Sequence, residues 1–155
     1  MNEEKRSLSR TEIFSGCLVI FVGIFYLMSL VGPFFQAKEA VSRTLFTIQQ
    51  AKMLLYVLLY LGGGMLLLGF RKPGWVITTA SLMNIVCITF YFVVGLLQTG
   101  LNIYQLIPFL FLTLAIMALY FMFRKEVRIN QRVNNLDYLF TVVIYLVLLF
   151  ITARL

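Results

Sequence analysis

The 155-residue chain is 61% hydrophobic and only 12% charged, whereas soluble domains are about 45–50% apolar and about 25% charged. This composition excludes an ordinary soluble domain, and several apolar runs reach the roughly 20 residues that a bilayer span needs. The formal net charge of +7 lies in short polar connections, so no soluble domain with a basic face exists that would bind nucleic acid.

Five apolar runs follow a polar N-terminal segment that covers residues 1–12. We expect residues 13–155 to form a single domain, an all-α integral membrane bundle of five transmembrane helices. The predicted spans are about 13–35, 53–70, 75–98, 103–123 and 136–153. The alternative is four spans plus an interfacial helix, with the last apolar run lying in the membrane interface or against another protein.

The connections between the runs give further expectations. Residues 36–52 are predicted to be either an interfacial helix or an extension of the second span. Residues 71–74, "RKPG", leave room only for a tight turn, so the second and third spans should be antiparallel neighbours. Pro108 lies near the start of the fourth span, where it can kink the helix. Trp75 and Tyr138 are expected at the membrane–water interface.

The basic residues are concentrated in alternate connections. With the N-terminus inside, nine Lys and Arg residues fall on the inner side and four on the outer side. The positive-inside rule then predicts a cytoplasmic N-terminus and an outside C-terminus. Four of the inner residues form the basic patch, namely Arg124, Lys125, Arg128 and Arg132.

Three consecutive glycines, Gly62, Gly63 and Gly64, interrupt the apolar run "LLYLGGGMLLLGF". Each glycine costs a helix about 1 kcal/mol relative to alanine. An irregular loop exposed to lipid is not tolerated at membrane depth, so we expect these residues to remain helical. Small residues let two helix backbones approach closely, which would compensate for the cost. Gly69 lies seven residues after Gly62, on the same face.

The third span carries a stripe of small and polar residues at alternating steps of three and four. This period is typical of a left-handed helix–helix seam. The stripe consists of Gly74, Ile77, Ser81, Asn84, Ile88, Tyr91, Gly95 and Gln98. Helix packing is the favoured interpretation, with Asn84 hydrogen-bonding across the seam. The other interpretation is that the stripe lines a pore or a ligand path.

The residue types that carry most membrane chemistry are missing. The chain has no histidine, which removes His-based metal and haem ligation. No ionisable residue lies deep in a predicted span, whereas pumps and ion-coupled transporters place such groups there. Glu12, Lys52 and Asp137 lie at span ends, where they can snorkel or cap. We therefore predict no catalytic, cofactor or metal site, and a protein that is not an enzyme.

The middle of the chain resembles small multi-pass bacterial inner-membrane proteins of uncharacterised function. The resemblance covers about residues 51–129 and rests on a span leading into "RKPGW", an uncharged polar turn and a fourth span that ends on "FRKEVRIN". It implies a bacterial cytoplasmic membrane and transfers no functional residues. The fifth apolar run departs from the four-span pattern of those proteins.

Three functions are compatible with these features. The first is a non-catalytic structural or accessory subunit, whose partners are the lipid bilayer and either further copies of itself or another membrane protein. The second is an oligomeric pore or membrane-perturbing effector lined by the third span. The third is a small carrier for a neutral or apolar solute. We favour the first.

Overall fold

The computed structural model describes residues 8–36, 43–69, 72–99 and 106–153. These residues form helices and short connections, with no strand among them. The helices are α1 (Arg10–Gln36), α2 (Arg43–Leu68), α3 (Lys72–Thr99), α4 (Leu106–Met122), α5 (Lys125–Asn130) and α6 (Asn135–Ala153). The protein is therefore an all-helical bundle, as expected from its composition.

Four of the long helices form a closed group. α1, α2, α3 and α4 each pack against the next, α4 also packs against α1, and α6 packs against α3. Neighbours along the chain alternate in direction. α1 and α4 are antiparallel as well, since Ser15 Oγ near the start of α1 lies 3.2 Å from the carbonyl oxygen of Ala118 near the end of α4. α6 runs parallel to α3, because Lys72 and Asp137 pair at their N-terminal ends.

This alternation gathers the starts of α1, α3 and α6 and the ends of α2 and α4 at one end of the bundle. We call it the basic end, defined by Arg10, Lys72, Arg124, Lys125, Arg128 and Arg132. α5 lies there as a single short helix, and the side chain of its own residue Val127 is buried. The sequence therefore concentrates its basic residues in alternate connections, and the fold brings those connections together at the basic end.

Four helices in the described residues are long and apolar enough to cross a membrane, covering Arg10–Val31, Gln50–Leu68, Lys72–Gln98 and Asn135–Ala153. α4 is apolar but has only 17 residues. The four-span alternative placed the last apolar run in the membrane interface. That run forms α6, which is one of the four long helices, whereas the shorter apolar helix among the described residues is α4. Its predicted first residues, 103–105, lie outside the described residues.

The connections resolve several sequence expectations. Residues 43–52 form the first turns of α2, so this part of the connection extends the second span, while residues 37–42 lie outside the described part. Pro108 is the third residue of α4. Residues 103–105 lie outside the described residues, so a kink at Pro108 stays a prediction.

Trp75 is buried in the bundle rather than facing the membrane interface as expected. Its side chain is fully buried, and its indole Nε1 donates to the carbonyl oxygen of Met122 at 3.0 Å. The rings of Phe123 and Tyr138 pack edge-on against it, at centroid distances of 6.1 and 5.4 Å. An indole with a satisfied N–H packs as a large apolar side chain, so the residue joins α3 to the end of α4.

Candidate functional site

The three consecutive glycines face three different surroundings. A Cβ on Gly62 would meet nothing within 4 Å, whereas one on Gly63 would lie 2.7 Å from Ile77 Cγ2 of α3. A Cβ on Gly64 would lie 2.5 Å from Ile20 Cγ1 and 2.9 Å from the carbonyl oxygen of Gly16, both on α1. Adjacent glycines point about 100° apart on a helix of 3.6 residues per turn. One glycine run therefore serves two different helix contacts.

Gly74 and Gly69, on either side of the connection between α2 and α3, also have different surroundings. A Cβ on Gly74 would overlap the backbone of Leu66 and Leu67, so α2 and α3 touch main chain to main chain at this point. Gly69 follows the end of α2, and a Cβ there would meet only carbonyl oxygens of the preceding turn. The close approach of α2 and α3 is thus made by Gly63 and Gly74.

The seam between α1 and α2 escaped the sequence analysis. A Cβ on Gly16 would lie 3.1 Å from the side chain of Leu68, and one on Gly23 would lie 2.8 Å from Leu61. Gly16 and Gly23 are seven residues apart, which is the spacing that indicated a seam on the third span. The first span therefore carried the same signal. Gly16, Gly23 and Gly64 together let α1 pack directly against α2.

A cluster of polar side chains lies inside the bundle at Asn84. Asn84 Nδ2 donates to the hydroxyl oxygen of Tyr60 at 2.9 Å. The Tyr56 hydroxyl lies 2.7 Å from Thr152 Oγ1, which in turn donates to the carbonyl oxygen of Leu148 at 2.8 Å and lies 3.4 Å from Asn84 Oδ1. The cluster thereby joins α2, α3 and α6. Its tyrosines, spaced four residues apart in an apolar run, were a readable signal that the sequence analysis did not use.

The stripe on the third span is buried in one half and exposed in the other. Gly74, Ser81 and Asn84 are buried between helices. Tyr91 is 83% exposed, and Gly95 and Gln98 are also exposed, with nothing within 4 Å of a Cβ placed on Gly95. The eight residues therefore do not line a common path within one chain.

A buried carboxylate holds the start of α1 at the basic end. Glu12 is fully buried; its Oε1 accepts from Gln131 Nε2 at 2.8 Å, and its Oε2 accepts from the Ser9 backbone N–H at 2.8 Å. Ser9 Oγ accepts from the Glu12 backbone N–H at 3.2 Å. These two residues form a capping box, in which each side chain satisfies the other's backbone donor. Gln131 adds a contact across 119 residues of sequence.

A second acidic residue of the basic end, Asp137, caps α6. Its Oδ2 accepts from the Asn134 backbone N–H at 2.6 Å and lies 3.1 Å from Lys72 Nζ. Glu12 and Asp137 thus both cap helices, one of the two roles expected for charged residues at span ends. Among the described residues, neither carboxylate forms an ion pair with a cation of the basic patch.

The basic patch lies on the surface around α5. Arg124, Lys125, Arg128 and Arg132 are all exposed. Arg128 Nη1 donates to the Tyr138 hydroxyl at 3.0 Å, and the Arg124 guanidinium lies 6.0 Å from the centre of the Phe121 ring. These contacts engage the guanidinium groups of Arg124 and Arg128, and all four side chains of the patch remain exposed.

Within the described ranges, no group of three or more His, Cys, Asp or Glu residues is arranged to hold a metal ion. Comparisons of the chain with protein-family models, with curated proteins and with solved structures found no match.

Proposed function

We propose that the chain is a non-catalytic, five-span protein of a bacterial cytoplasmic membrane that acts as a structural or accessory subunit. In this proposal the N-terminus is cytoplasmic and the C-terminus is outside. The subunit assembles through its membrane helices, either with further copies of itself or with another membrane protein.

The five-span topology is supported by the packing of α4. Its 17 residues extend over about 26 Å at 1.5 Å per residue, a few ångströms less than the roughly 30 Å hydrocarbon core. A mismatch of this size is accommodated by local thinning of the bilayer at modest cost. α4 also packs between α1 and α3, both of which are long enough to cross. A helix that packs against two membrane-spanning helices is proposed to cross the same hydrocarbon core.

The orientation is supported by where the cations lie. Among the residues whose side chains the structure describes, every Lys and Arg except Lys52 lies at the basic end. Basic residues in short connections are retained on the cytoplasmic side. The basic end is therefore proposed to be cytoplasmic, which places the start of α1 and the helix α5 on that side.

The observation that carries the subunit proposal is the division of the third-span stripe. In its buried half, Asn84 bonds to Tyr60 of α2 in the same chain, while the hydroxyl of Ser81 is buried without a hydrogen-bond partner among the described residues. The exposed half continues the same period with Tyr91, Gly95 and Gln98. Small and polar residues on a lipid-facing surface are typical of helix–helix contacts, because lipid tails give no hydrogen bonds. A second helix docked there would contact Gly95, which has open space around it, and the exposed polar side chains of Tyr91 and Gln98.

Labelling of single cysteines tests the topology. In a background with Cys17→Ala and Cys87→Ala, Lys125→Cys should react with a membrane-impermeant maleimide from the cytoplasmic side only. Ala153→Cys should react from the outside only. If α4 does not cross, both sides are exchanged, since Lys125 is then separated from the N-terminus by three spans. That result would overturn the five-span topology.

A matched pair of glycine variants tests the assembly. Gly62 and Gly95 both have open space around a Cβ within one chain, so leucine at either position leaves the bundle intact. Gly95→Leu should reduce the mass of the particle solubilised in mild detergent, because it fills the exposed half of the stripe. Gly62→Leu should leave that mass unchanged. Equal masses for wild type and Gly95→Leu would contradict the proposed surface.

The pore alternative is tested with the same preparations. A pore lined by the third span would release an entrapped dye from proteoliposomes. The subunit proposal expects no release above that of protein-free vesicles. Release that Gly95→Leu abolishes would replace the subunit proposal with the pore.

A further inference from the structure

A cavity of about 410 Å³ lies between α1, α3 and α4. It falls within the range of roughly 300–1,000 Å³ that is usual for small-molecule pockets. α1 contributes Phe25 and Tyr26, α3 contributes Ile88 and Thr89, and α4 contributes Phe111 among the lining residues. Three helices therefore border a partly open volume that the side chains of the described residues leave unfilled.

The cavity exists because α1 and α4 touch mainly near the basic end. There, Phe14 packs edge-on against Phe121 at 6.2 Å, and Ser15 Oγ donates to the carbonyl oxygen of Ala118. The cavity residues lie farther from the basic end, on the α1 segment after Ile20 and in the first turns of α4. The two helices thus meet at one end and leave the cavity between them toward the other.

The lining selects an apolar occupant. It contains no charged side chain, and Tyr26 and Thr89 are its only residues with a side-chain polar group. The Tyr26 ring also packs against Tyr56 and Tyr60, at centroid distances of 5.4 and 5.6 Å. Tyr26 therefore separates the cavity from the polar cluster at Asn84. A polar ligand would lose its hydration here without finding partners, which is costly.

The position of the cavity in the bundle identifies the source of that occupant. Phe111 lies 11 residues before Met122 at the end of α4, which corresponds to about 17 Å at 1.5 Å per residue. The cavity therefore lies beyond the middle of a hydrocarbon core roughly 30 Å thick, in the half remote from the basic end. Its rim carries Phe21 and Ile107, which are 63% and 68% exposed. At this depth, such side chains face lipid tails.

We propose that this cavity binds one acyl chain of a membrane phospholipid from the leaflet remote from the basic end. The chain enters between α1 and α4 past Phe21 and Ile107 and lies against Ile88 and Phe111. The headgroup remains at the membrane surface. This inference rests on the membrane placement proposed above and is independent of assembly through α3.

Photocrosslinking tests the site. The full chain is reconstituted into phosphatidylglycerol–phosphatidylethanolamine vesicles that contain a phospholipid with a diazirine in one acyl chain. After illumination, crosslinked peptides are mapped by mass spectrometry. We expect crosslinks enriched on residues 21–26, 85–92 and 107–111 over the equally exposed face of α6 around Val143.

Filling variants supply the comparison. Thr89→Phe occupies the cavity from within, and Ile107→Trp closes its rim from an exposed position that the fold tolerates. Both should abolish the enrichment, whereas Ile116→Trp on the exposed face of α4 should preserve it. Crosslinks spread evenly over all exposed helices, or enrichment that persists in both filled variants, would overturn the proposal. Failure of the topology labelling with enrichment intact would instead remove only the leaflet assignment.

Discussion

Alanine substitutions at the three consecutive glycines separate helix propensity from helix packing. Each change replaces glycine by alanine in the interior of α2, so each gains the same propensity term of up to about 1 kcal/mol. The packing terms differ, because only Gly63 and Gly64 face neighbouring helices. The three variants therefore act as one another's controls.

The structure orders the expected stabilities. Gly62→Ala meets no atom within 4 Å and should raise the free energy of unfolding by up to about 1 kcal/mol. Gly64→Ala meets the carbonyl oxygen of Gly16 at 2.9 Å, which cannot rotate away. Overpacking of this kind costs about 1–3 kcal/mol, so Gly64→Ala should be less stable than Gly62→Ala by that amount. The stability of Gly63→Ala should lie between those of Gly62→Ala and Gly64→Ala. The nearest atom to its Cβ belongs to the side chain of Ile77 rather than to a carbonyl oxygen, but Ile77 is β-branched and moves little.

The assay is reversible unfolding in mixed detergent micelles, followed by far-ultraviolet circular dichroism and referred to the wild-type chain. Equal shifts for all three variants would refute the reasoning, because propensity alone would then explain them. A destabilised Gly62→Ala would show instead that an unrecognised surface covers that glycine.

Three further predictions concern polar contacts. Glu12→Ala should lower the free energy of unfolding by about 1.5–3 kcal/mol, the usual value of a hydrogen bond to a charged group, because it leaves the buried amide of Gln131 without its acceptor. Glu12→Gln should lower the free energy of unfolding less, and equal losses for the two variants would contradict the role of the charge. Lys72→Met should change stability by less than about 1 kcal/mol, since a partly exposed ion pair contributes little, although its partner Asp137 is buried; a larger loss in the same unfolding assay would contradict this. Asn84→Leu should cost about 0.6–2 kcal/mol, the usual range for a hydrogen bond between membrane helices, and a variant more stable than wild type would show that the cluster does not hold α2 to α3.

The helices were predictable from sequence because apolar length and turn residues determine them locally. The all-helical fold and the antiparallel order of α2 and α3 followed from runs of about 20 apolar residues separated by "RKPG". Most described boundaries moved by three residues or fewer, since polar residues such as Arg10 and Lys72 continue the helical hydrogen bonding beyond the apolar core. α2 is different, because it begins at Arg43, ten residues before the predicted span.

Side-chain environments required the tertiary arrangement. Nothing local distinguishes Gly62 from Gly64, because their neighbours differ only once α1 is placed beside α2. The capping box of Ser9 and Glu12 was readable in the sequence as Ser-x-x-Glu. The burial of Glu12 was not, since it depends on Gln131, which reaches the site only through α4 and α5. The acyl-chain cavity likewise exists only between three helices.

The mass and protein composition of the particle purified from its native membrane in mild detergent test the central claim most directly. The subunit proposal predicts a particle larger than one chain, containing either several copies or a second membrane protein in fixed ratio. A homo-oligomer and a hetero-complex both satisfy it and would differ only in the partner. A monodisperse single chain, with no associated protein in several mild detergents, would contradict it.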